Sequence, residues 1–264
     1  MLCRILCVAL LSALSFATQA QVAKSALAKP PASATHYIIQ STAGPHGESW
    51  RWTTSDGTRM ARESMNLRGQ VWEMDSSGKA GADGMPARVE IRGVTPTGDA
   101  AETFEIASAR ASWKSPVDTG NAPYAAPVFY MTQGGPIDNT AWFLERILAT
   151  PDKTLNLLPG GKARAEKLTT VEVGNGATKQ TVTAWAITGV SNAPIPVWSD
   201  ANGKFFGFVY FLSWLPEQYA GEHQRLTQAQ SKALAARAPA LAKSLVKTPT
   251  SAVAFTHVKL FDAE

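Results

Sequence analysis

Cysteine occurs only twice in the 264 residues, as Cys3 and Cys7, both inside an apolar run at the very start. Beyond that run the chain has no disulfide, no thiolate nucleophile and no sulfur ligand for a metal. Histidine is nearly as scarce. His36, His46, His223 and His257 form no H-x-H, H-x-x-x-H or H-E-x-x-H pair, so no local spacing offers two imidazoles to one ion. Excess charge is small: the formal +4 is spread along the chain and leaves no footprint for nucleic acid. No stretch reaches the ~20 apolar residues needed to span a bilayer, so no membrane span is expected.

Catalytic motifs are missing too. There is no G-x-S-x-G elbow. Gly160-Gly161-Lys162 lacks the first glycine of a phosphate loop, where Asn156 stands, and Ala163 replaces the hydroxyl residue that would hold magnesium. A turn between a helix and a strand is expected there. Asp75 to Gly84 has acidic and glycine residues without the ligand spacing of a calcium loop, and reads as a Gly-rich turn. The sequence therefore nominates no catalytic, cofactor-binding or metal-ligating residue, and no cofactor.

What the chain does have is sheet. Hydrophobic residues make up 45% and charged residues 17%, and glycine and proline recur at short intervals beside eight tryptophans. Residues 1–20 read as a signal peptide: Arg4, an apolar run from Ile5 to Phe16, and Thr18-Gln19-Ala20 before cleavage. A periplasmic or secreted location follows. Residues 21–35 are rich in Ala, Lys and Pro and read as a flexible leader. Short strands then alternate with turns. Tyr37, Ile39 and Ser41 begin the first, which Gly44-Pro45-His46-Gly47 should break, and Asp56-Gly57 should close a hairpin. Ala87, Val89 and Ile91 alternate with Arg88, Glu90 and Arg92, as in a sheet with one wet face. Glu102–Trp113, Ala126–Thr132, Leu168–Val173 and Lys179–Thr188 read as further strands.

The stretch from Pro194 to Pro216 organises this pattern. Asp200-Ala201-Asn202-Gly203 is a turn signal. After it Phe206, Phe208, Tyr210, Leu212 and Trp214 fall on one side at period two, with Phe205, Gly207, Val209 and Phe211 on the other. The spacing predicts one core strand, apolar on both faces, in which Gly207 admits a close neighbour. The aromatic stripe reads as core, not as a cofactor site. Two helices complete the pattern, near 138–150 and 217–247. Asp138 or Asn139 should cap the first, whose stripe is Phe143, Leu144, Ile147 and Leu148. Leu226, Leu234, Leu241 and Leu245 should line one face of the second, kinked at Pro239. The fold class expected for residues 36–247 is α+β: a mostly antiparallel, curved meander packed with two helices.

LLPGGKARAEKL, with AWFLERILA before it and TAWAITGV, PIPVWSDANGKFFGFV and LTQAQ after it, resembles the N-terminal extension of a group of secreted bacterial amidohydrolases. MNLRGQ at Met65–Gln70 is similar to that group's Arg-Gly-rich strand start. In the group the extension runs into the first strand of a small β-sandwich, followed by a metal-binding barrel opened by H-x-H. Here AFTHVKLFDAE is similar to that strand, with Phe261-Asp262 matching, and then the sequence ends. The resemblance makes 248–264 a linker, Thr248-Pro249-Thr250, and an orphan strand. It implies a hydrolase family but supplies no catalytic residue.

Two functions compete on this reading. The first is a non-catalytic accessory region of an exported amidohydrolase, truncated or completed by a separate metal-dependent barrel polypeptide. The second is a periplasmic binding module holding an apolar ligand between a curved sheet and a helix, a reading that rests on fold analogy alone.

Overall fold

A computed structural model describes residues 22–259; the expected signal peptide and the residues from 260 onward, including Phe261-Asp262, lie outside the described residues. Sixteen strands form one sheet, antiparallel except for a single parallel pair, and the sheet does not close. This is the α+β architecture, mostly antiparallel with two helices.

The first meander is β1 (Thr35–Ser41), β2 (Gly44–Thr53), β3 (Arg59–Leu67), β4 (Gln70–Ala80) and β5 (Pro86–Thr95). The short β6 (Gly98–Asp99) pairs with β5, and β7 (Glu102–Ala107), β8 (Arg110–Lys114) and β9 (Thr119–Pro123) carry the sheet to one edge. The other edge is β10 (Val128–Tyr130). Helix α1 (Asp138–Ala149) connects it to its parallel neighbour β11 (Thr154–Leu158). A second meander follows: β12 (Lys162–Val173), β13 (Gln180–Thr188), β14 (Ile195–Ser199), β15 (Phe205–Val209) and β16 (Ser213–Pro216). Pairing of β16 with β1 joins the two meanders. Helix α2 (His223–Leu245) is the last regular element among the described residues.

The sheet curls round α1. The rings of Phe104 on β7 and Tyr130 on β10 stack at 4.3 Å, although nearly the whole sheet separates those strands along its hydrogen-bonded path. Inside the curl α1 buries Ala141, Trp142, Phe143, Leu144 and Ile147, each large one contributing roughly 1.5–3 kcal/mol. Trp142 lies against Gly78, where a Cβ would come within 2.7 Å of its ring. The outer face carries a separate core of Val173, Val182, Trp198, Phe206, Leu215 and Tyr219, covered by Leu226 of α2.

Several expectations are corrected. Gly44-Pro45-His46-Gly47 does not break a strand; it lies in β2, and a register shift at Ile39/Gln40 absorbs the irregularity. Glu102–Trp113 is a hairpin turning at Ser108-Ala109, both at positive φ. Asp75–Ala80 is strand rather than turn, which spans Gly81–Gly84. Gly160-Gly161 joins two strands, not a helix to a strand. The expected core strand after Asp200 is itself a hairpin: β15 stops at Val209, Tyr210 N–H bonds Leu212 C=O at 2.8 Å, and Tyr210 and Phe211 are exposed. The turn at Asp200 forms as expected, with its Oδ1 accepting from the Asn202 and Lys204 N–H groups.

The helices differ in detail. Ile137, not Asp138 or Asn139, occupies the N-cap of α1, without a side-chain cap, because the Asp138 carboxylate is taken by two arginines. In α2 only His223, Leu226 and Gln230 are buried. The helix runs through Pro239, and Leu241 and Leu245 are exposed. Residues 24–28, expected as part of a flexible leader, contact the outer face of the sheet: Lys24 pairs with Glu73, Leu27 is buried, and Ala28 N–H bonds Asp75 Oδ2 at 2.7 Å. Residues 251–259, expected to begin a strand, form none and are exposed.

Candidate functional site

Because α1 fills the middle of the curl, the larger clefts lie toward the two ends of the curl. At the end where α1 begins, an apolar cleft of about 650 Å³ lies between the inner face of the sheet and the segment Gln133–Gly135. Its walls are Met65 and Leu67 of β3, Trp72 of β4, Leu212 and Phe211 of the β15–β16 turn, and Trp214 of β16. A smaller cavity of about 250 Å³ continues beneath the same segment toward Asn139.

One charged group lines both spaces. Glu63 is 4% exposed and sits on β3 between Ala61 and Met65, on the face turned to α1. Its Oε2 accepts from the indole N–H of Trp214 at 3.0 Å and from the backbone N–H of Ile137 at 3.3 Å. The guanidinium of Arg62 points to the opposite face, toward Glu73 and the Met74 carbonyl. Burial pushes the Glu63 carboxyl up to about 7, against the lowering pull of the Trp214 and Ile137 donors.

A second buried carboxylate fixes the roof. Glu102 accepts from the Gln133 N–H at 3.0 Å and from the Tyr130 hydroxyl at 2.8 Å, and burial raises its pKa as well. Residues 131–137 are thus held at one end by Glu102 and at the other by Glu63. Gly135, at φ 101°, allows the bend, and a Cβ there would meet Ile91 at 2.6 Å.

The residues weighed from sequence are scattered. His36 stacks on Trp50 and lies 3.0 Å from Glu217 Oε2. His46, near the start of β2, bonds Ser41 Oγ at 2.7 Å. His223 is buried at the start of α2, where burial lowers its pKa. His257 is exposed. Among the described residues no group of three His, Cys, Asp or Glu side chains is placed to hold a metal ion. Of the aromatic stripe, Trp214 reaches the cleft, Phe208 packs on it, and Phe206 faces α2.

Sequence reasoning missed Glu63. Its signal was present in Ala61-x-Glu63-x-Met65, where one acid interrupts an apolar face at period two. No family model, curated protein or solved structure matches the chain.

Proposed function

We propose that the protein is a binding module that holds an apolar ligand in the cleft between the inner sheet face and the segment leading into α1. The observation that carries this reading is a 650 Å³ cleft walled by Met, Leu, Phe and Trp side chains around a single buried carboxylate. Ligand pockets have this size and composition: mostly apolar, with a few polar groups that fix orientation. Glu63 supplies such a group. In its protonated form it donates a hydrogen bond, and as a carboxylate it accepts one from a hydroxyl, amide or amine at the ligand's head.

The same proposal carries export to the periplasm. It rests on Met1–Ala20 and is checked by the mass of the protein recovered from that compartment, which should begin at Gln21.

Binding is tested with N-phenyl-1-naphthylamine, whose emission rises in apolar surroundings, while Trp72 and Trp214 report from the cleft walls. Saturable binding is expected, weakened at least about tenfold by Leu67→Arg, which sets a charge in the half-exposed wall. Absence of saturable binding, or equal binding to the variant, overturns the reading.

The accessory-region reading has one observation in its favour: Val253, Phe255 and Val258 are exposed after α2, apolar residues without a covering surface in the described chain. A separate barrel polypeptide that captures the purified chain through residues 251–264 would support it.

A further inference from the structure

The opposite end of the curl opens on a different kind of space, lined by α1 residues from Asp138 to Ala149. Two adjoining clefts, of about 470 and 380 Å³, share Thr53, Arg59, Glu145 and Lys204. Their lips are three hairpin turns carrying Gly57, Gly84 and Gly203, at φ of 78°, 76° and 75°. β3 runs from this end, at Arg59, to the apolar cleft, at Leu67, roughly 26 Å at about 3.3 Å per residue.

Four cations line the two clefts: Arg51, Arg59, Arg146 and Lys204, against the two carboxylates Asp138 and Glu145. Arg51 and Arg59 account for both carboxylates. Arg51 Nε lies 2.7 Å from Asp138, and Arg59 reaches Asp138 at 2.8 Å and Glu145 at 3.2 Å. Arg146 and Lys204 have no carboxylate partner among the described residues. Arg146 Nε is buried without any hydrogen-bond partner. Packing, not an ion pair, positions its guanidinium: it lies over Gly84, where a Cβ would come within 2.6 Å. The C-terminal carbonyls of α1, which would repel an anion, are covered by Lys153, whose Nζ bonds the Leu148 and Thr150 carbonyls at 2.6 and 3.0 Å.

We propose that this cleft is a second binding site, which takes an oxyanion of phosphate or carboxylate type between Arg146, Lys204 and the outer edge of the Arg59 guanidinium. A guanidinium whose Nε is already buried and which has no acceptor in the protein has its donors free for such a group. The site shares no residue with the apolar cleft, so binding here neither requires nor tests the carrier reading.

The experiment is calorimetric titration of the full chain at low ionic strength with inorganic phosphate and, separately, citrate. One saturable site is expected for at least one of them, weakened about tenfold by Arg146→Gln and by Lys204→Gln, each of which removes one charge-assisted contact. Lys232→Gln, an exposed lysine of α2, should leave it unchanged. Lys204 is exposed on a turn, so its variant folds whether or not Arg146→Gln does. Binding of phosphate alone or citrate alone assigns the anion class. Equal weakening by Lys232→Gln, no weakening by Lys204→Gln, or no saturable site for either anion overturns the proposal.

Discussion

Arg59 grips both oxygens of Asp138, with Nε 3.1 Å from Oδ2 and Nη2 2.8 Å from Oδ1. This fork ties the start of β3 to the first residue of α1, and the Arg59 guanidinium also lies 5.0 Å above the Trp142 ring one helical turn on. Burial works to raise the Asp138 carboxyl, but Arg51 and Arg59 outweigh it and hold the group below the usual carboxylate range. The helix is therefore fastened inside the sheet by charge as well as by its apolar stripe.

Asp138→Ala leaves the largely buried guanidinium groups of Arg51 and Arg59 with Glu145 as their one remaining carboxylate partner among the described residues. Loss of one partner from a buried pair costs about 3–5 kcal/mol. A urea midpoint shifted by that order is expected, and an unchanged midpoint would show that the arginines are satisfied without Asp138.

Glu63 gives stability a pH dependence of unusual sign. Its folded pKa, about 7, lies above the unfolded value near 4.5. Between those values the unfolded chain releases the proton first, so this group's contribution is complete below about pH 4.5 and falls as pH rises to about 7. The loss is of order 3 kcal/mol at ~1.4 kcal/mol per pH unit. Glu63→Gln should abolish that decline, read as the difference in melting temperature between pH 5 and pH 8 for the two proteins. Parallel curves for wild type and variant would mean that Glu63 does not titrate in this window.

Leu226 and Leu241 occupy the same helix with opposite expected effects. Leu226 is fully buried against the outer core, and its replacement by Ala should cost about 2–5 kcal/mol. Leu241 is 53% exposed, and its replacement should stay within about 0.5 kcal/mol. Equal losses would require the second half of α2 to be covered in solution.

Deleting Ser251–Glu264 should leave the melting temperature nearly unchanged, since residues 251–259 form no strand and are exposed. A lowered melting temperature would place this segment in the fold. If the deletion spares the fold but abolishes capture by a barrel polypeptide, the accessory-region reading gains its main support.

The sequence by itself determined the local matters. Period-two alternation from Ala87 to Arg92, the Asp56-Gly57 and Asp200–Gly203 turns, and the spacing of Phe143, Leu144 and Ile147 each follow from a few neighbouring residues. The backbone geometry of strand, turn and helix acts at that range. It also determined the α+β class. Tertiary structure decided the rest. Which side of the sheet each helix takes, where the strand after Asp200 breaks, and why α2 loses its apolar stripe past Gln230 depend on what lies across the sheet. Asp138 read as a cap until Arg51 and Arg59, some eighty residues earlier, were brought beside it. Glu63 acquired its raised pKa only when the fold buried it, a burial that outweighs the lowering pull of Trp214 and Ile137, residues distant in sequence. Desolvation and charge pairing act through space, between residues that the chain separates widely, and so no window of sequence records them.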